Sequence, residues 1–363
     1  MTAALPTEQL TILALETSCD ETAAAVVRGG RTLIANVVAS QMDMHERYGG
    51  VVPEVASRQH IVALAPVIQE ALRALPGGWN DVDAVAATYG PGLSGALLTG
   101  LNAAKAIAWQ RELPFVGVNH LEAHIYANWL VPEAAFEFPL VALVVSGGHT
   151  LLALLKGHGE YTILGQTRDD AVGEAFDKVA RILGLGYPGG PAIQRAAEGV
   201  APGGGVLPRA WLRDSYDFSF SGLKTAVLHR VQERQQQAAK LTTPRGRKAE
   251  PANAATVQPL DAAFVAQTAY AFQESVVDVL VAKTVDAARH YGATAILLAG
   301  GVAANSRLRS ELVRRADVPV HAPPLSLCTD NAAMIAAAAY YSFTQGLQVD
   351  WSLDVDPRLR LGA

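Results

Sequence analysis

An apolar strand, a short polar turn and a returning apolar strand occur twice in this chain, at 11–28 and again at 139–156. A repeated supersecondary unit constrains a fold strongly, because each copy must bury its apolar face in surroundings built on the same plan. The first copy breaks at Glu16-Thr17-Ser18-Cys19-Asp20-Glu21-Thr22, the second at Ser146-Gly147-Gly148-His149-Thr150. Two lobes of like architecture are expected. With 363 residues, half of them hydrophobic and 17% charged, the chain is long and apolar enough for two packed cores and is not a disordered polymer.

The stretches between the hairpins alternate in period. Residues 32–39 extend the first hairpin into a meander, and 55–75 carries apolar residues at helical spacing until Pro76-Gly77-Gly78. A strand over 82–87 then runs into Tyr89-Gly90-Pro91-Gly92-Leu93-Ser94-Gly95 and a helix over 96–109, with a further strand at 115–118. Such alternation implies an α/β fold with a partly parallel sheet. In the second half a helix over 171–183 stops at Gly184, and a strand at 295–299 leads through Gly300-Gly301 to a helix from about Asn305. Residues 235–259 have no periodicity and read as a mobile surface loop.

Several classes are disfavoured. Two cysteines, Cys19 and Cys328, supply no disulfide framework, and no basic stretch followed by an apolar run opens the chain, so a cytoplasmic protein is expected. The uncharged stretch 331–349 is rich in Ala with interspersed polar residues, which argues against a membrane span. A net charge of −5 argues against bulk coating of nucleic acid. Between Val206 and Glu250, however, nine Lys and Arg stand against four Asp and Glu, with Arg209, Arg213, Lys224, Arg230 and Arg234 among them. That stretch can meet a phosphate backbone, or it can be an ordinary solvated face.

Chemistry concentrates in a few places. A tight turn between strands points consecutive N–H groups at one spot and can cradle phosphate, and Gly147 and Gly148 permit close approach. His120 and His124 stand four apart at the start of an expected helix with Asn119 as its N-cap, so both imidazoles share a face. A helix start disfavours imidazolium and favours neutral imidazole ligands. Asp330, ahead of an Ala-rich helix, is a third candidate ligand or a plain cap. A zinc peptidase is disfavoured, because Glu122 lies ~200° around the helix from His120 and cannot serve as base on that face. Asp177 can pair with Arg181 and Glu174 with Lys178 on one helix face, and Asn305 suits an N-cap. Facing lobes with one such hairpin each are the nucleotide-gripping arrangement of the actin and hexokinase superfamily, an analogy of fold.

Taken in order, these segments resemble one family over nearly the whole chain, the tRNA N6-adenosine threonylcarbamoyltransferases, or TsaD family, of the actin-like ATPase superfamily. The matching stretches include Glu16-Thr17-Ser18-Cys19-Asp20-Glu21-Thr22, Tyr48-Gly49-Gly50-Val51-Val52-Pro53-Glu54, His120-Leu121-Glu122-Ala123-His124 and Val145-Ser146-Gly147-Gly148-His149-Thr150. Glu174-Ala175-Phe176-Asp177-Lys178, Tyr187-Pro188-Gly189-Gly190-Pro191, Ser219-Phe220-Ser221-Gly222-Leu223-Lys224-Thr225, Gly300-Gly301-Val302-Ala303-Ala304-Asn305 and Cys328-Thr329-Asp330-Asn331 complete the pattern. One departure is Gln194, where many members carry Asp.

The resemblance implies a two-lobed actin-like ATPase fold (ASKHA, ribonuclease H-like) with duplicated sheet-and-helix lobes around a cleft. Residues 1–118 would form the first lobe, completed by a helix at 331–346, and residues 119–330 the second. It implies one divalent metal ion, Fe2+ or Zn2+, held by His120, His124 and Asp330, and adenylate contacts from Val144, Val145, Ser146, Gly147, Gly148, Asp177, Gly190 and Asn305. The implied reaction moves a threonylcarbamoyl group from threonylcarbamoyl-AMP to the N6 amine of the adenosine adjacent to the anticodon in tRNAs reading codons that start with adenine, releasing AMP. Asp20 or Glu16 is the expected catalytic proton acceptor. Implied partners are tRNA, a paralogous actin-like protein of TsaB type and a small ATPase of TsaE type. A small-metabolite kinase of the same superfamily, which would leave the histidine pair unexplained, and a non-catalytic nucleotide-binding partner protein are the alternatives.

Overall fold

The structure, a computed structural model, describes residues 7–132, 134–201, 203, 205–242, 260–347 and 351–362. Strands β1 (Thr11–Glu16), β2 (Glu21–Arg28) and β3 (Thr32–Ser40) form an antiparallel meander, followed by α1 (Met42–Glu46) and α2 (Pro53–Leu72). Then come β4 (Ala84–Gly90), α3 (Ser94–Arg111), β5 (Phe115–Asn119) and α4 (His120–Tyr126). β4 pairs parallel to β1 and β5 parallel to β4, so the sheet order is β3-β2-β1-β4-β5.

The second half repeats the plan. Strands β6 (Leu140–Val145), β7 (Thr150–Gly157) and β8 (Glu160–Gln166) make the meander. Among the described residues four helices follow, α5 (Val172–Leu183), α6 (Gly189–Ala197), α7 (Ser221–Thr242) and α8 (Ala262–His290), where the first half has two. β9 (Ala295–Ala299) then lies parallel to β6, α9 (Ser306–Arg315) crosses to β10 (Val320–His321), and α10 (Ala332–Thr344) ends the series. Strand for strand, β8-β7-β6-β9-β10 has the order and directions of the first sheet.

Both β1 and β6 are buried at every position. A strand covered on both faces carries no polar alternation, and here each face feeds a different core. Leu13, Leu15, Val85 and Ala87 pack outward against α2 and α3. Ile12, Ala14, Ala84 and Ala86 instead join Ala142, Val144, Leu297 and Ala299 in a core between the two sheets. Leu143, Val145, Ile296 and Leu298 face the helices of the second lobe. Helix α10 occupies the central layer, where its buried run from Ala332 to Ala339 is nearly all alanine, so its backbone approaches closely enough to touch every strand of the first sheet. It also packs on α4, which leaves β5 and reaches β6 and β9. Each lobe's last strand thus sends a helix into the space between the sheets.

Ends of elements follow local chemistry. Asn119, Asp261, Asn305 and Asn331 accept from backbone N–H groups at the starts of α4, α8, α9 and α10. Gly184, at φ 72°, ends α5 in the left-handed conformation that glycine adopts without strain. One expectation needs correction: 235–242 is helix, since Val227 and Val231 anchor α7 in the core and the Gln, Ala and Lys that follow are good helix formers. The remainder of that expected loop, 243–259, lies outside the described residues. No described helix is long and apolar enough to cross a membrane.

Candidate metal centre and interlobe cleft

His120 and His124 follow β5, and Asp330 follows β10 and precedes α10, so equivalent exits of the two sheets bring the three together. Asp330 Oδ1 lies 3.2 Å from His124 Nε2 and 3.5 Å from His120 Nε2. The three ligand atoms fall within 4.8 Å of one another. His124 is buried, yet neither of its ring nitrogens has a hydrogen-bond partner. A buried polar atom left unsatisfied costs about 1–3 kcal/mol, and a metal ion at the convergence point would remove that cost for Nε2. Two imidazole nitrogens and a carboxylate oxygen form a mixed set that suits Zn2+ or Fe2+.

Behind this set stands Glu16, fully buried at the end of β1. Its Oε2 accepts from Thr88 Oγ1 at 2.6 Å and from His120 Nδ1 at 3.1 Å. Its Oε1 accepts from the Ser18 backbone N–H. Because the carboxylate can only accept, His120 carries its proton on Nδ1 and turns Nε2 toward Asp330. Burial pulls the His120 pKa down, but the carboxylates of Asp330 and Glu16 outweigh it and raise it to about 9. Burial of Asp330 and Glu16 acts upward on each, and the neighbouring imidazoles outweigh that, holding both below the ordinary carboxylate range. His124 goes the other way, lowered chiefly by burial.

His120 and Asp330 line a cleft of about 600 Å³ between the lobes, and His124 is buried beside them. Ser18, Cys19, Asp20, Gly49, Gly50 and Val51 line one wall; Ser146, Gly147, Gly148, His149, Asp177 and Arg181 line the other. Of the expected proton acceptors, Asp20 is presented to the cleft and Glu16 is not, because all of its oxygens are engaged behind His120. Burial, together with the charge of His120 and His124, drives the pKa of His149 down to about 4, so this cleft imidazole is neutral. Asp177 accepts from the N–H of Gly189 at 2.7 Å, and burial raises its pKa. Arg181 donates across the cleft to the carbonyl of Gly49 rather than to Asp177. Glu174 and Asp170 both pair with Lys178.

Four expected adenylate contacts are not among the residues lining that cleft. Val144 and Val145 are buried in β6, and Gly190 lies in the first turn of α6. The side chain of Asn305 is committed at both ends: Oδ1 caps α9 and Nδ2 donates to Gln273 at 3.0 Å. Gln194 accepts from Ser306 N at 2.9 Å and ties α6 to the same helix start. Glu122 is turned away from the triad by its bond to Tyr161, 2.7 Å, which removes the last basis for a peptidase.

A second buried network joins two strips of the first-lobe wall. Val52 N–H donates to His45 Nδ1 (3.3 Å), leaving Nε2–H of His45 to donate to Gln41 Oε1 (3.2 Å). Gln41 Nε2 is 3.4 Å from His60 Nδ1, which also faces Thr22 Oγ1 at 2.8 Å, and His60 Nε2–H donates to the Cys19 carbonyl at 3.0 Å. Every donor in this run points the same way, so both tautomers are fixed and the loop before α2 is locked to the turn carrying Asp20. Neither histidine stood out in the sequence, where each is a lone residue at a helix position.

The basic stretch is partly spent inside the second lobe. Arg209 pairs with Asp278 and Arg234 with Asp261, each at 2.7–2.8 Å. Among the described residues, Arg213 and Lys224 have no recorded ion pair.

Comparison with known proteins agrees with this arrangement. The family model described as tRNA N6-adenosine threonylcarbamoyltransferase matches residues 32–337. The chain is 55% identical to the protein of that name from Thermomicrobium roseum over 360 residues, 96% of each chain. It is 53% identical to its counterpart from Geobacillus thermodenitrificans over 361 residues, 98% of each. Among solved structures it is similar to full-length HypF in its phosphate- and nucleotide-bound form, with TM-score 0.58 and 13% identity over 95% of this chain and 47% of that one. It is also similar to component A of the (R)-2-hydroxyglutaryl-CoA dehydratase of Acidaminococcus fermentans, with TM-score 0.51 and 13% identity over 94% of this chain and 100% of that one. At such identity the structural likeness concerns the fold alone, which is the two-lobed actin-like architecture.

Proposed function

The chain belongs to the tRNA N6-adenosine threonylcarbamoyltransferase family, and from that premise we propose how its interlobe cleft carries out the transfer. The enzyme is an acyltransferase that places a threonylcarbamoyl group on the exocyclic N6 amine of a tRNA adenosine. Our reading takes that adenosine to be the one adjacent to the anticodon, and the donor to be the mixed anhydride of threonylcarbamate with AMP. The amine nitrogen attacks the carbamoyl carbon, a C–N bond forms, and the C–O bond to phosphate breaks. AMP departs with the electron pair, and the amine proton passes to a base.

Each wall has a part in that reaction. Asp20 is the base we assign, since it lines the cleft together with His120 and Asp330 while Glu16 is fully engaged in holding His120. The Ser146-Gly147-Gly148 turn takes the phosphate; a Cβ at either glycine would meet nothing within 4 Å, so the space over that backbone is open to a ligand. Asp177 fixes the turn at Gly189 and offers its second oxygen to the ribose side of the adenylate. His120, His124 and Asp330 would hold one divalent ion through two nitrogens and one oxygen. When bound, such an ion supplies a Lewis acid that polarises a carbonyl or neutralises a leaving phosphate. For the paralogous TsaB-type partner, Ile61 and Val62 on α2 and Leu98 on α3 offer exposed apolar surface; the TsaE-type ATPase would join that assembly.

The observation that carries this reading is the convergence of two imidazoles and a carboxylate at the edge of a cleft that His120 and Asp330 line, in a chain of this family. The test is AMP release from threonylcarbamoyl-AMP with tRNA, measured with bound metal on the same preparation. His124→Ala should lose both. Full metal retention in that variant, or phosphoryl transfer from ATP to a small alcohol without tRNA, would overturn the reading.

A further inference from the structure

Asn119 has two partners far apart in the chain. Its Oδ1 accepts from Leu121 N at 2.9 Å and Glu122 N at 3.4 Å, and its Nδ2 donates to the carbonyl of Arg360 at 2.8 Å. Arg360 belongs to residues 351–362, a segment without regular structure that lies along the first lobe. Its main chain follows the rim of the cleft: Asp356 N donates to Tyr89 O at 2.8 Å, and Gly92 N to Pro357 O at 3.4 Å. The Asp356 carbonyl sits where a Cβ on Gly90 would stand, 2.0 Å away, so glycine is required there for the segment to approach.

Apolar contacts pin this segment at both ends. Trp351 meets Trp109 edge-on at 5.3 Å between ring centroids and stacks with Phe115 at 6.3 Å, while Lys105 donates to the Trp351 carbonyl at 2.9 Å. Leu361 is buried in the core between the sheets. What lies between these anchors touches the turn after β4 and the residue immediately before His120.

Helix α4 has only seven residues, too short to hold its own axis, because helix formation is cooperative and isolated short helices are marginal. Packing on α10, β6 and β9 holds the body of α4, and Asn119 fixes the start of its first turn. His120, next in the chain, inherits that placement, and His124 sits one turn on. From this we infer that Asn119 is a positioning residue for the two histidines and that residues 351–362 are the brace through which it acts. The inference rests on the reading that His120, His124 and Asp330 bind a metal ion.

Asn119→Ser separates the two duties, since serine keeps an oxygen to cap α4 but has no amide to reach the Arg360 carbonyl. The probe is Zn2+ alone, titrated into metal-free full-length protein against a chromophoric chelator, with the thermal midpoint recorded in parallel. Asn119→Ser should weaken Zn2+ binding about ten-fold, the scale of outer partners of metal ligands, and leave the thermal midpoint of the metal-free protein nearly unchanged. A chain ending at Pro357 should lose the same factor, although it also loses stability with Leu361. The two changes combined should weaken Zn2+ binding no further than either alone. Parent-like affinity in both variants overturns the brace, and so does a combined loss equal to the product of the separate ones. Failure of the metal reading itself looks different: His124→Ala would then bind Zn2+ as the parent does.

Discussion

Glu16 Oε2 lies 3.1 Å from His120 Nδ1, so a carboxylate at the end of the first strand orients the imidazole that begins α4. Glu16→Gln keeps an accepting oxygen and removes the charge. Zinc affinity, measured by equilibrium dialysis, should fall by about 10-fold, with a stability cost of about 1–3 kcal/mol because the amide NH2 faces a buried donor. An unchanged affinity would mean that Glu16 packs beside the centre without tuning it.

The raised pKa of His120, about 9, sets a pH dependence whose sign is fixed. The imidazole of an unfolded chain titrates near 6.5, so in metal-free protein the imidazolium contributes stability fully below about pH 6.5, and that contribution is lost as pH rises through about 9. Metal must displace the same proton from Nε2. Apparent zinc affinity should therefore climb with pH up to about 9 and level off above. Calorimetry in two buffers of different ionisation heat should find about one proton released at pH 7.5. Absence of release would show that His120 is already neutral.

Glycines around the cleft divide into two groups. At Gly173 a Cβ would stand 2.6 Å from the Ser146 carbonyl, and at Gly189 2.5 Å from Asp177 Cα, so alanine at either should cost about 1–3 kcal/mol in denaturant unfolding. At Gly148 it would meet nothing. Gly148→Val should unfold like the parent and yet bind AMP more weakly by calorimetry; normal AMP binding would move the phosphate elsewhere.

Arginines already paired inside the lobe should differ from lysines and arginines facing solvent. Replacing Arg213 and Lys224 together by alanine should lower the slope of log affinity for tRNA against log salt by about 0.7–0.9 per residue. Arg209→Ala should leave that slope alone and lower stability only modestly, because Asp278 keeps Arg315 at 3.6 Å. If the slope is unmoved by the first pair, the tRNA surface lies on another face or on a partner.

The plan of the molecule was legible from the two hairpins because a repeat survives translation from sequence to topology: the matching turns at 16–22 and 146–150 became matching sheets. His120, His124 and Asp330 were legible as residue types but not as neighbours, since over 200 residues separate them and the central packing of α4 on α10 unites them. Helix α8 was not anticipated. Buried on several sides against α5, α6 and α9, it has no single apolar stripe to betray its period. The choice between Asp20 and Glu16 stays open in the sequence for a related reason: in a strand covered on both faces, the pattern does not say whether a carboxylate points to a cleft or to a neighbouring imidazole. Residues 351–362 have no period at all, and only three-dimensional contacts reveal what they hold.

Ligands that leave the last strand of each sheet give the triad a property that neither lobe has alone. Its bite, the set of distances between two nitrogens on one side and an oxygen on the other, is a measure of how the start of α4 sits against the start of α10. Affinity for a metal ion and the free energy of parting these two helix starts are then two readings of one equilibrium: by linkage, whatever moves them apart weakens the ion's hold, and the bound ion resists that movement by the same amount. The centre is in this sense a strain gauge for the seam between its two carriers.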